Sequence, residues 1–148
     1  MSTTTAPVQN VTGVVPLLWV TDIERALAFY VNGLGFTVQN RWTPDGRLRW
    51  CCMSLGGAAL MLQEATESNR ENMLSAGKLG NGAALYFQCA DAIAIYREAA
   101  QRGIHPVREP QVGNSAWEIF FADPDGYQIN FSSPTEVPEE RLLSEIEI

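Results

Sequence analysis

Twice in this chain an apolar, strand-like run is followed at once by an amphipathic segment opened by Asp, and no other feature limits its fold so strongly. The first copy is "VVPLLWV" with "TDIERALAFYVNGLGF", residues 14–36; the second is "AALYFQC" with "ADAIAIYREAAQRG", residues 83–103. Asp22 and Asp91 lie 69 residues apart, as do Gly57 and Gly126 in two later turns. A unit that recurs this way buries its apolar face by pairing with its copy.

Each copy continues as strand-like runs divided by turn residues. In the first, "TVQNRW", "RLRWCCMSL" and "AALMLQEA" are separated by "PDG" and "GG"; in the second, "IHPVRE", "WEIFFA" and "YQINFS" follow, the last two joined by "DPDG". Alternation and turn chemistry predict three strands in each case. Ile23, Ala26, Leu27 and Tyr30 keep helical spacing, Thr21 with Glu24 has the form of a capping box, and Gly33 or Gly35 should end the helix. The expected fold is α+β: two tandem βαβββ modules, about 13–65 and 80–132, forming a curved mixed sheet around a cleft with the helices outside. Residues 66–79 read as a connector with a short helix begun at Ser68 and boxed by Glu71. Residues 1–12 read as a disordered leader, and 133–148 as an acidic, solvated, partly helical tail holding five Glu and one Arg.

Composition narrows the function. A net charge of −7 disfavours nucleic acid. No apolar run approaches the roughly 20 residues that span a bilayer, and the first ten residues lack the basic and apolar regions of a signal peptide, so a cytoplasmic location is expected. Cys51, Cys52, Cys89 and the single His105 do not have metal-site spacing. The two aspartates of "DPDG" are what a Pro-Asp-Gly turn uses, and Glu118 reads as a solvated residue beside an inward Trp117.

The pieces "VTDIERALAFYVNGLGF" and "ADPDGYQINF", in that order within two βαβββ halves, resemble the glyoxalase, bleomycin-resistance and extradiol-dioxygenase superfamily, the vicinal oxygen chelate proteins, over roughly residues 13–132. Metal-dependent members carry His, Glu or Gln ligands at four positions, which the resemblance puts at Val15, Met61, Ala84 and Asn130. Val, Met and Ala cannot replace the water shell of a hard cation, and one amide cannot hold it alone. The resemblance therefore implies no metal and no cofactor here, and closest kinship to the metal-free, bleomycin-resistance-like members. The same strand faces would line the cleft with Leu17, Trp19, Gln63, Tyr86, Gln88 and Gln128. Trp19, Met61, Gln63, Tyr86, Gln88 and Asn130 are the expected ligand-binding residues, joined by Trp50, Trp117 and Phe121. The implied function is sequestration of a small molecule, an aromatic metabolite or an antibiotic, with a cationic one suiting the acidic chain, by a homodimer. The alternative is an enzyme: a metal-dependent lyase, thiol transferase or dioxygenase, or a metal-independent isomerase or cyclase. A regulatory domain that reads a metabolite would look the same in sequence.

Overall fold

Asp22 and Asp91 both act as helix N-caps in the computed structural model, which describes residues 10–146. The expected leader falls mostly on residues 1–9, outside the described residues, and 10–12 carry no regular structure. Strand β1 (Leu17–Val20) leads through Asp22 into α1 (Ile23–Leu27), which widens into a π-helical stretch (Ala28–Gly33). Asp22 accepts from Glu24 N and Arg25 N at 3.1 and 3.2 Å, so the cap is Asp22 rather than the expected Thr21–Glu24 box. Thr21 is engaged elsewhere. Its hydroxyl and N–H donate to Asp125, 104 residues along the chain, at 2.6 and 2.9 Å.

Strands β2 (Thr37–Trp42), β3 (Trp50–Leu55) and β4 (Ala58–Glu64) complete the first sheet in the order β1-β4-β3-β2. Helix α2 (Glu67–Ser75) follows, capped by Thr66 rather than Ser68, and buries none of its residues. The second module repeats the design with β5 (Ala84–Gln88), α3 (Ala92–Gln101), β6 (Gln111–Gly113), β7 (Ala116–Ala122) and β8 (Gln128–Pro134), ordered β5-β8-β7-β6. Registers repeat as well: Leu17 pairs with Met61, and Tyr86 with Asn130, each partner displaced by the repeat length. Even the first free N–H of each helix is treated alike. Ile23 N donates to Glu64 Oε2 and Ala92 N to Ser133 Oγ, both at 2.9 Å, which satisfies a group that would otherwise be buried unpaired.

Residues 104–109, expected as a strand, carry no regular structure; Pro106 and Pro110 lack the N–H that a ladder needs. The strand is instead the short β6, joined to β7 by Asn114 and Ser115 with φ of 52° and 61°, the geometry of a two-residue hairpin turn of the primed type. The acidic tail is docked rather than solvated. Glu140 N donates to Val112 O and Val112 N to Arg141 O, both at 2.9 Å, so the tail covers the β6 edge, and Leu143 of α4 (Leu143–Ile146) is 6% exposed.

Helix α1 packs on β4 and α3 on β7 and β8, and one core of Val20, Ile23, Tyr30, Leu62, Ile119, Phe121 and Phe131 joins the modules. The turn "DPDG" fastens them: buried Asp123 accepts from Tyr30 Oη at 2.7 Å and Tyr127 N at 2.8 Å, while Tyr127 Oη donates to Trp19 O at 2.7 Å. Burial pushes the Asp123 carboxyl above its ordinary range, and burial beside Asp123 raises the Tyr30 hydroxyl well above its own. A β-carbon on Gly33 would lie 2.5 Å from Ile104 Cγ1, so glycine allows the helix to approach the second module.

Candidate functional site

Alternation along the strands leaves one face of each sheet against its helix and the other open. On the open face of the first module, cross-strand pairing sets Trp19, Gln63, Trp50 and Trp42 in one row, with Leu17, Met61 and Cys52 in the next. Trp19 and Trp42 remain 44% and 52% exposed. Such large apolar groups left bare on a sheet face are a surface for a ligand or a partner. Trp19 also walls a groove of about 340 Å³ with Asn69, Asn72 and Met73 of α2 and with Tyr127.

The same two rows in the second module hold Gln88, Ser132, Glu118 and Gln111, then Tyr86, Asn130 and Phe120. Tyr86 and Phe120 flank β8, and their rings meet edge to face with centroids 6.4 Å apart. Asn130 lies between them, 3% exposed, and its Oδ1 has no hydrogen-bond partner. The Tyr86 hydroxyl donates to Glu118 Oε2 at 3.3 Å; burial, then the Glu118 charge, hold its proton more tightly than an ordinary phenol's. Tyr86, Gln88, Glu118, Ser132 and the Asn114–Ser115 turn line a groove of about 880 Å³.

Of the expected site residues, Trp19, Trp50, Met61 and Gln63 share the open face of the first module, and Tyr86, Gln88 and Asn130 that of the second. Trp117 and Phe121 do not join them: at 8% and 1% exposure they point into the core, and their neighbours Glu118 and Phe120 take the open face. The expectation that Trp117 faces the cleft and Glu118 faces away from it is thus reversed. Ala116 sits opposite Gly113 across the hairpin, and that pairing sets the facing of every later residue of β7. Phe120 and Trp42 were not anticipated. Trp42, at the end of the run "TVQNRW", had a signal in that run's alternation.

A third groove, about 610 Å³, runs past Trp42, Gln63 and Arg70 to Glu64. The Glu64 side chain is 3% exposed and binds Arg47 at 2.7 Å and Arg49 at 3.0 Å, so its charge is matched inside the fold.

A metal ion, which the resemblance implies for metal-dependent members, is not suited by the residues present. The central pairs are Leu17 with Met61 and Tyr86 with Asn130: a hydrocarbon, a thioether, a phenol that keeps its proton and an amide. Val15 precedes β1, and Ala84 pairs with Gln128. Among the described residues no three His, Cys, Asp or Glu side chains gather as a metal site.

Two βαβββ modules in tandem, each offering an open sheet face, define a class of paired-module folds, and the comparisons give the family. The chain belongs to the Glyoxalase/Bleomycin resistance protein/Dioxygenase superfamily, whose family model matches residues 11–131. TnmS3, an antibiotic binding protein from Streptomyces sp. CB03234, is 24% identical with a TM-score of 0.66, over 86% of this chain and 99% of that one. TioX from Micromonospora sp. ML1 is 18% identical with a TM-score of 0.63, over 86% and 99% of the two chains. A superfamily member from Sphaerobacter thermophilus DSM 20745 is 26% identical with a TM-score of 0.62, over 83% and 98%. A comparison with the curated proteins gives no match.

Proposed function

We propose that this protein binds and sequesters a small ring-bearing molecule, an antibiotic or an aromatic metabolite, without a metal or other cofactor. The observation that carries this reading is the pair of open sheet faces, where exposed Trp19, Trp42 and Tyr86 stand beside the neutral amides Gln63, Gln88 and Asn130. Aromatic faces bind rings by stacking and burial, and a few fixed amides orient them. Similarity in fold to an antibiotic binding protein agrees with this. Each open face is bare within one chain, so a homodimer in which one chain's first module covers the partner's second would bury the ligand on both sides. Three free cysteines suit the reducing cytoplasm.

The catalytic alternative has one observation in its favour, the Tyr86 hydroxyl held by Glu118. A phenol that keeps its proton donates a hydrogen bond and so can polarise a carbonyl.

The test is a thermal-shift panel of ring-bearing antibiotics and aromatic metabolites on one half and divalent metals on the other. A true ligand at a hundred times its dissociation constant adds about 2.7 kcal/mol to stability. Stabilisation by an antibiotic that is recovered unchanged by mass spectrometry supports sequestration. Chemical conversion of the ligand supports the catalytic alternative, and stabilisation by a metal alone overturns both the metal-free reading and the assignment of the site.

A further inference from the structure

Resting on the reading that the open faces hold an organic ligand, we propose that Glu118 is the specificity-determining residue of the second module and pairs with a protonated amine on a flat aromatic ligand whose rings lie over Phe120. The ligand class is thereby an aromatic amine or amidine cation.

Glu118 is placed rather than merely exposed. Its Oε1 occupies the space over Gly113 where a β-carbon would overlap it, and Gly113 does not have the positive φ that would itself call for glycine. The carboxylate thus lies down on the sheet face, in the row beside Tyr86 and Phe120, instead of extending into water. Among the described residues its one hydrogen bond is the long one from the Tyr86 hydroxyl. Among the described residues no Lys, Arg or His forms an ion pair with it, whereas buried Glu64 has both Arg47 and Arg49. An acceptor held on a half-buried aromatic surface without an ion-pair partner is a place for a cation from outside, which there competes with the Arg108 guanidinium for the Phe120 ring.

Two further observations point the same way. Asn130 Oδ1 is a second acceptor on this face, buried between Tyr86 and Phe120 and without a donor. Asn130 Oδ1 lacks a hydrogen bond that an N–H donor would complete. Phe120 already holds a planar cation, because the guanidinium of Arg108 stacks 4.4 Å from its ring centroid while donating to Gln111 Oε1. Arg108 is exposed, so moving its guanidinium off the ring opens no core. In the bound state the ligand's charged ring takes the position of the guanidinium, with its amine on Glu118.

The experiment uses three flat probes of similar size titrated into the full chain by fluorescence: 9-aminoacridine as the cation, 9-anthracenemethanol as the neutral form and anthracene-9-carboxylate as the anion. We expect the cation to bind about tenfold tighter than the neutral probe, the effect of one charge-assisted hydrogen bond, and the anion weakest. Glu118→Gln, which keeps shape and the acceptance from Tyr86, should erase the preference for the cation and leave the neutral probe unchanged. Gly113→Ala, which evicts the carboxylate, should do the same with an unaltered circular dichroism spectrum, and Arg108→Ala should tighten the cation about threefold by clearing the ring. Glu118→Gln binding the cation as the wild type does, or a wild-type preference for the anion, overturns the proposal. Binding of all three probes without charge preference removes the role of Glu118 and leaves the sequestration reading standing, whereas failure of every probe removes both.

Discussion

The two modules share a backbone and differ in what they display on it. Both have an Asp cap, the same parallel register and a last-strand side chain that receives the first helical N–H. Yet the row Trp19, Gln63, Trp50 and Trp42 in one is Gln88, Ser132, Glu118 and Gln111 in the other, and Leu17, Met61 and Cys52 become Tyr86, Asn130 and Phe120. The first face is nearly all aromatic and apolar; the second mixes rings with a carboxylate and an amide. What repeats is what the fold needs, and under the proposed function what fails to repeat is what a ligand meets. Two unlike faces around one molecule could grip its rings with the first and its polar groups with the second.

The sharpest break in the symmetry is structural, and it gives the largest expected effect. Glu64→Ala strips a partner from Arg47, Arg49 and the Ile23 N–H together and should lose about 3 kcal/mol in urea unfolding. Ser133→Ala, at the equivalent position, removes one hydrogen bond and should lose about 1 kcal/mol. Equal losses would mean that the arginines contribute nothing and that the two sites are the same device.

On the ligand side, Trp19→Ala should weaken an aromatic ligand by about tenfold, as for a central aromatic anchor, measured by calorimetry. Its melting temperature should fall by no more than about 3 °C, because the side chain is 44% exposed and lies outside the core. A collapsed fold would make Trp19 a packing residue. Tyr86→Phe keeps the ring and loses the hydroxyl with its bond to Glu118, so a drop of about threefold in ligand affinity is expected.

The smallest effect tells whether a ligand covers the first module at all. Cys52 lies on the open face between Met61 and Asn40, while adjacent Cys51 faces the core with its thiol pushed up to about 11 by burial. Iodoacetamide at pH 8 should modify Cys52 and spare Cys51, as read by peptide mass spectrometry. A bound ligand should slow the Cys52 reaction by a few-fold. An unprotected Cys52 beside a protected second-module face would confine the site to the second module.

Much of this was legible in the chain before any coordinate. The repeat, the Asp that opens each helix, the turns at Gly57 and "DPDG", and the open-face positions of Trp19, Gln63, Tyr86 and Gln88 follow from signals a few residues long: a spacing, an alternation, a turn residue. The facing of β7 did not follow. Trp117, Ile119, Phe120 and Phe121 are apolar at odd and even positions alike, so alternation alone cannot choose between Trp117 and Glu118 for the open face. The hairpin at Asn114 and Ser115 chooses, through pairing with β6.

Nor could the local pattern at Thr21 show that its hydroxyl would bind Asp125 and leave the cap to Asp22. The same holds for the acidic tail, whose charges read as solvated while its backbone was needed to close the β6 edge. The sequence by itself determined the two βαβββ units, because caps, turns and periodicity act between near neighbours. Only the tertiary structure decided which groups those units expose, because strand register and contacts between modules join residues far apart, and each such contact forms only once the rest of the fold holds both partners in place.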